Sequence, residues 1–170
     1  MASNIPKGDK WELIDNDIDS LNYGKKFMFD FSYIVSENIK NFVKAFVWRN
    51  YKENNMSLSS LYRYLGCYFE KFIKFSSSTD IYSLNQLTNN HISKYVSYLK
   101  TTLSNKTGKP LNYQFQKKHL DVLKAIIRWG QMYMPDEVPK VEIFTGNEYL
   151  GVNRKLKIDF IPDVVVKKNK

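Results

Sequence analysis

Between residues 36 and 134 apolar side chains recur every three or four positions in four successive stretches, a spacing that restricts this part of the chain to packed amphipathic helices. From about Glu37 to Glu53, Ile39, Phe42, Val43, Phe46 and Val47 share one face, and Ser36 is placed to cap the helix start. Lys40, Lys44, Trp48 and Lys52 rise on the other side at intervals of four, as either a basic face holding an aromatic or a solvated lysine stripe. The second stretch starts near Ser57, with Leu58, Leu61, Leu65, Phe69 and Phe72 as its stripe and Arg63, Lys71 and Lys74 away from it. Gly66 in its middle costs about 1 kcal/mol relative to alanine, which close approach of another helix would explain. Cys67 falls off the stripe and reads as a bystander.

A polar connection, SSSTDIYSLNQ, leads to the third stretch, capped by Thr88. Ile92, Tyr95, Val96, Leu99 and Leu103 form its buried face, with His91 exposed in the first turn. Gly108 and Pro110 then punctuate a turn, SNKTGKPLN. The fourth stretch runs from about Asn112 to Tyr133 and buries Phe115, His119, Val122, Leu123, Ile126 and Ile127. Gln114, Lys117, Lys118, Lys124 and Arg128 lie opposite, with Asp121 among them. His119 on the apolar side reads as a hydrogen-bonded core histidine.

The flanks differ. Phe27, Phe29, Phe31 and Tyr33 alternate at period two, as do Leu156, Ile158 and Phe160, so 27–34 and 155–161 read as extended segments able to pair as a ribbon. The organisation expected is an N-terminal extended arm (1–35), a helical domain (36–135) and a linker (136–170).

Composition adds constraints. Hydrophobic residues make up 43% of the 170, enough for one domain with a real core, and with 15% aromatics too many for disorder. No apolar run is long enough to span a bilayer, no secretory leader opens the sequence, and a lone cysteine suits a reducing cytosol. The net charge of +9 is unevenly spread: residues 1–35 sum to −2, 36–74 to +4, 85–134 to +7 and 135–170 to +1. A basic middle between nearly neutral ends points to a polyanionic partner.

Motifs for chemistry are missing. There is no phosphate-binding glycine loop, HExxH or CxxC, and carboxylates are scarce in the helical middle. Two histidines and one cysteine far apart give no support for a metal site, and no cofactor is expected. Nucleic-acid binding is better supported, because free backbone N–H groups and the helix dipole favour phosphate at a helix start. Ser57, Ser59, Ser60 and Arg63 stand at one such start. Lys106, Thr107, Lys109, Asn112, Gln114, Lys117 and Lys118 stand at another, with Lys124 farther along the same helix. Ser57 and Asn112 also read simply as caps of these two helices, a role that can coexist with phosphate contact by their neighbours.

The order of SLSSLYRYLGCYFEKFIKF, LTNNHISKYVSYL, KTGKPLN and the long helix after it, following DFSYIVSENIKNFVKAF and preceding IFTGNEYLGVNRKLKIDFIPDVVV, resembles the core-binding part of tyrosine recombinases, the phage-integrase family, and particularly integrases of transposons. That resemblance implies an all-α fold, a four- to five-helix SAM-like bundle with extended N- and C-terminal segments. It implies a non-catalytic module that clamps double-stranded DNA for recombination and integration, with the second and fourth helices on the duplex through the two residue groups just named. The nucleophilic tyrosine would belong to the protein's own catalytic domain, absent here, and other recombinase protomers on DNA become possible partners. The setting implied is the prokaryotic cytoplasm, with no membrane partner. The acidic stretch from Asp9 to Asp30 departs from the family's pattern. The competing readings are a helical protein-interaction module and an RNA-binding bundle with Trp48, Tyr62 and Tyr113 as stacking aromatics.

Overall fold

In the computed structural model, residues 4–145 are described. Two strands open the fold, β1 (Lys10–Ile14) and β2 (Lys26–Asp30). Helix α1 (Glu37–Lys52) follows, then α2 (Leu58–Arg63), a π-helical stretch (Tyr64–Phe69) and α3 (Glu70–Ser78) without a break. A short 3-10 turn (Leu84–Gln86) precedes α4 (Asn89–Thr101) and α5 (Tyr113–Tyr133).

The fold is therefore mixed, mostly helical with a two-stranded antiparallel sheet, and not the all-α SAM-like bundle expected from the sequence. The arm forms a hairpin because KWELI alternates as clearly as the segment after it: Trp11 and Leu13 point inward while Lys10, Glu12 and Ile14 stay outside. Trp11 pairs with Phe29 and Leu13 with Phe27, which fixes the register. β2 thus pairs with β1; the expected partner at 155–161 lies outside the described residues. Trp11 stacks edge-on against Phe31 and Trp48, at 4.6 and 5.9 Å between ring centroids, and joins the hairpin to α1.

The caps form where the sequence places them. Ser36, Ser57, Thr88 and Asn112 each accept a hydrogen bond from a backbone N–H in the first turn of α1, α2, α4 and α5. At α4 the cap is reciprocal: the Thr88 N–H donates to Nδ1 of His91, which is half-buried and not exposed as expected.

The π-helical stretch has a reason in the apolar spacing. Leu61, Leu65 and Phe69 are each four residues apart, and in a regular α-helix such steps drift by about 40° each. Local underwinding offsets that drift and keeps all three buried. Gly66 lies in this stretch with open space where a Cβ would stand, so no helix approaches it closely.

α5 runs through the middle of the core. Phe42 and Phe46 of α1 meet Trp129 edge-on at 5.6 and 5.2 Å. Tyr68 of the π-helical stretch meets His119 at 5.2 Å, and Phe72 and Phe75 pack on Tyr95 of α4. The close approach belongs to Gly130, where an added Cβ would lie 2.5 Å from Val138 and 2.8 Å from Phe42. Val138, Ile143 and Phe144, beyond α5, are buried in the same core.

Two expected core residues are outside it. Leu103 is 53% exposed, because α4 ends at Thr101 and Leu103 instead forms a bridge with Pro110. Phe115 is 49% exposed, because the buried stripe of α5 begins at Gln116 and His119.

Gly130→Ala is expected to lower stability by about 1–3 kcal/mol through overpacking. Gly66→Ala, made in open space, is expected to raise it by about 0.5–1 kcal/mol. Urea unfolding of both variants checks the pair; shifts in the same direction would contradict this account.

Candidate nucleic-acid interface

The loop before α5 is built to project its side chains. Ser104 N–H donates to the Lys109 carbonyl and Gly108 N–H to the Ser104 carbonyl, both at 2.8 Å, while Leu111 N–H donates to Thr102 at 3.0 Å. Gly108 supplies the left-handed backbone the turn needs, at φ +64°. Lys106, Thr107 and Lys109 therefore stand exposed on a braced turn, and the Thr107 hydroxyl accepts from the Lys109 N–H. Asn112 Oδ1 accepts from Phe115 N–H at 3.0 Å, and the buried Gln116 donates to the Leu111 carbonyl at 2.7 Å. Gln114 and Lys118 are exposed on the first turns of α5.

The cations of this edge are not equivalent. Lys117 donates to Asp121 at 2.5 Å, and that hydrogen bond raises its pKa. Lys124 is half-buried with its ammonium 5.5 Å from the Phe144 ring. Among the described residues, Arg63, Lys106, Lys109 and Lys118 meet no carboxylate.

The first expected group is arranged differently. The Ser57 hydroxyl donates to Ser60 Oγ at 2.8 Å and lies 3.3 Å from Ser59 Oγ, so these hydroxyls largely satisfy one another. Asp15, Asn16, Asp17 and Ser20 of the hairpin loop line a cavity shared with Ser57 and Lys52, which places negative charge beside this helix start. The π-helical stretch that continues α2 meets α5 at Tyr68 and His119.

Two of the three lysines in the row on α1, Lys40 and Lys44, form neither a free basic face nor a solvated stripe, whereas Lys52 is exposed with its ammonium 5.5 Å from the Trp48 ring. Lys40 is 8% exposed and reaches Asp9 and Glu37, each at 3.0 Å, and Lys44 reaches Asp9 at 2.6 Å. Asp9 is the residue that sequence reasoning missed. The signal was present, two lysines four apart facing an arm rich in acids. The hydrogen bond from Lys44, then that from Lys40, holds the Asp9 carboxyl below its ordinary 3.8. Of the three stacking aromatics named above, Trp48 is half-buried between Trp11 and Tyr51 and Tyr113 packs on the core, whereas Tyr62 meets Phe27 and Phe29 but stays 46% exposed.

His119 donates from Nδ1 to the Phe115 carbonyl at 2.7 Å and is buried, as expected of a core histidine. Burial pushes its pKa below 6.5, Lys71 acts in the same direction, and the bond to Phe115 opposes both. Among the described residues no group of three or more histidine, cysteine, aspartate or glutamate side chains is placed to hold a metal ion. No helix among them is long and apolar enough to cross a membrane.

Compared with family models, curated proteins and solved structures, the chain matches none.

Two pH dependences follow from these environments. A carboxylate whose folded pKa is lowered contributes stability above its unfolded pKa and loses it as pH falls through the folded value. The stability difference between the wild type and Asp9→Asn should therefore be present at pH 6 and shrink below about pH 3.8; a difference independent of pH would contradict the pairing. His119, with its lowered pKa, stabilises the fold above 6.5 and loses that contribution as pH falls. Its ring nitrogens should titrate below pH 6.5 by NMR, and a midpoint above 6.5 would contradict its burial as a neutral imidazole.

Proposed function

We propose that this chain binds double-stranded DNA without acting on it chemically, through the edge formed by Lys106, Thr107, Lys109, Asn112, Gln114 and Lys118. The observation that carries this reading is the division of cations in the fold. Lys40 and Lys44 are neutralised by Asp9 and Glu37 at the hairpin, whereas Lys106, Lys109 and Lys118 stand exposed and unpaired around a helix start. Unpaired lysines shed condensed counterions from a duplex on binding, and the free N–H groups of a 21-residue helix add favourable dipoles there. Neutral hydrogen-bonding groups at Thr107 and Gln114 suit contacts to phosphate and sugar, which position a protein without reading sequence.

A narrower form of the proposal is the core-binding part of a tyrosine recombinase, with catalysis carried by another domain. It rests on the order of sequence segments, SLSSLYRYLGCYFEKFIKF through the long fourth helix. In that role Arg63 would extend the same surface, and the serines of α2 would act chiefly as caps.

The test is duplex binding measured over a series of salt concentrations. Affinity should fall steeply with salt, and each phosphate contact removed should flatten the slope by about 0.9. Lys106→Ala, Lys109→Ala and Lys118→Ala should each weaken binding similarly across DNA sequences. Lys117→Ala should cost less than Lys118→Ala, because Lys117 is already paired with Asp121. No duplex binding at low salt, or a loss on Lys40→Ala as large as that on Lys118→Ala, would overturn the proposal.

A further inference from the structure

The loop between β1 and β2 is built inside out. Asp15 is buried, and its carboxylate accepts from the Asp17 N–H at 3.1 Å and from the Ser20 hydroxyl at 2.8 Å. Ser20 Oγ accepts in turn from the Asn22 N–H, Asp17 Oδ1 accepts from the Asp19 N–H, and the Gly24 N–H closes the loop on the Asp15 carbonyl at 2.7 Å. With its polar groups engaged within the loop, it presents apolar side chains to the outside: Leu21 is 99% exposed, Ile18 77% and Tyr23 59%. The whole loop, residues 15–25, holds three aspartates against one cation, Lys25, whose ammonium donates to Asn22 at 3.0 Å. Scattered exposed apolar residues are ordinary, but three on one braced turn beside exposed Asp17 and Asp19 form a surface suited to a partner.

The complementary surface is on the same chain. The 103–118 edge carries exposed Leu103 and Phe115 among Lys106, Lys109 and Lys118, which meet no carboxylate among the described residues. Both surfaces combine apolar groups with unbalanced charge, and the charges are opposite. Because the two patches differ, one copy's loop on another copy's edge is a head-to-tail contact, which propagates into rings or filaments.

We propose that the 15–23 loop docks on the 103–118 edge of a second copy of this chain, with Ile18, Leu21 and Tyr23 against Leu103 and Phe115, and Asp17 and Asp19 against Lys106 and Lys109. This goes beyond the binding of DNA: it uses the same cations but does not require that they meet phosphate. Where both hold, duplex and second copy compete for one edge, and self-association masks the DNA-binding surface.

Sedimentation velocity at low salt, over a wide range of protein concentration, tests the contact. The wild type should show a sedimentation coefficient that rises with concentration, and raised salt should abolish the rise. Asp17→Lys/Asp19→Lys breaks the loop and Lys106→Asp/Lys109→Asp breaks the edge, so each variant alone should sediment as a monomer. Mixed together they should form dimers and nothing larger, because one keeps a sound edge and the other a sound loop. Leu21→Ser, at a side chain that touches little of its own molecule, should lose the association while leaving the thermal midpoint unchanged, and serves if a charge variant fails to fold. A wild type monomeric at every concentration, a mixture that stays monomeric, or a Leu21→Ser variant that associates like the wild type would each overturn the proposal. Duplex binding is read in a separate titration, so loss of one interaction with retention of the other shows which of the two proposals has failed.

Discussion

The packing of α1 and its neighbours onto α5 at Gly130 is the constraint on which the arrangement depends. With no side chain at that position, Phe42 and Val138 approach α5 from two directions, and Trp129 beside it takes the edges of Phe42 and Phe46. One residue thus brings together α1, α5 and the segment just beyond α5. The same helix fixes the π-helical stretch through Tyr68 against His119, so both ends of α5 are held by contacts made along its buried face. Its exposed face and its N-terminal turn are left outside the core, and the loop cations project from there.

Electrostatics divides the surface in a way net charge alone does not reveal. A chain of +9 has cations to spare, yet two of the four on α1, Lys40 and Lys44, are neutralised by Asp9 beside the hairpin. Asp9 accepts from two lysines that are largely buried, which joins the first strand to the first helix and removes that helix as a polyanion site. Asp15 and Asp17 place acid near the start of α2. Lys106, Lys109 and Lys118, around the loop before α5, meet no carboxylate among the described residues, and neither do exposed Lys52, Arg63 and Lys94 on other elements. The acidic N-terminal stretch, for which the sequence suggests no purpose, has a structural one: Asp9 covers Lys40 and Lys44 and takes these two cations out of the basic surface.

Much of the helical part was legible because periodicity and capping are local. Ser36, Ser57, Thr88 and Asn112 cap the helices they were expected to cap, and most residues of the four apolar stripes are buried. What escaped depends on partners distant in sequence. The strand at KWELI is short and interrupted by charge, and its alternation gains meaning once Phe27 and Phe29 pair across from it. The π-helical stretch differs from an α-helix by a small change in winding that four-residue spacing hints at without requiring. Phe115 and Leu103 fit a helical stripe by counting, but each lies at a terminus, where the stripe has already left the core. Lys40 and Lys44 resembled a solvent face until Asp9, more than thirty residues away, was seen to cover them. The candidate interface was legible at 106–118 for the same local reasons as the helices, whereas the acidic setting of Ser57 needed the hairpin's position.

The division of cations is tested most directly by amine-reactivity mapping, with mass spectrometry of each lysine after brief reductive methylation, in free protein and with saturating duplex. The account predicts that Lys40 and Lys44 react slowly in both states, and that Lys106, Lys109 and Lys118 react readily alone and are protected by duplex. Fast reaction at Lys40 and Lys44 with protection by DNA there, and none at 106–118, would contradict it.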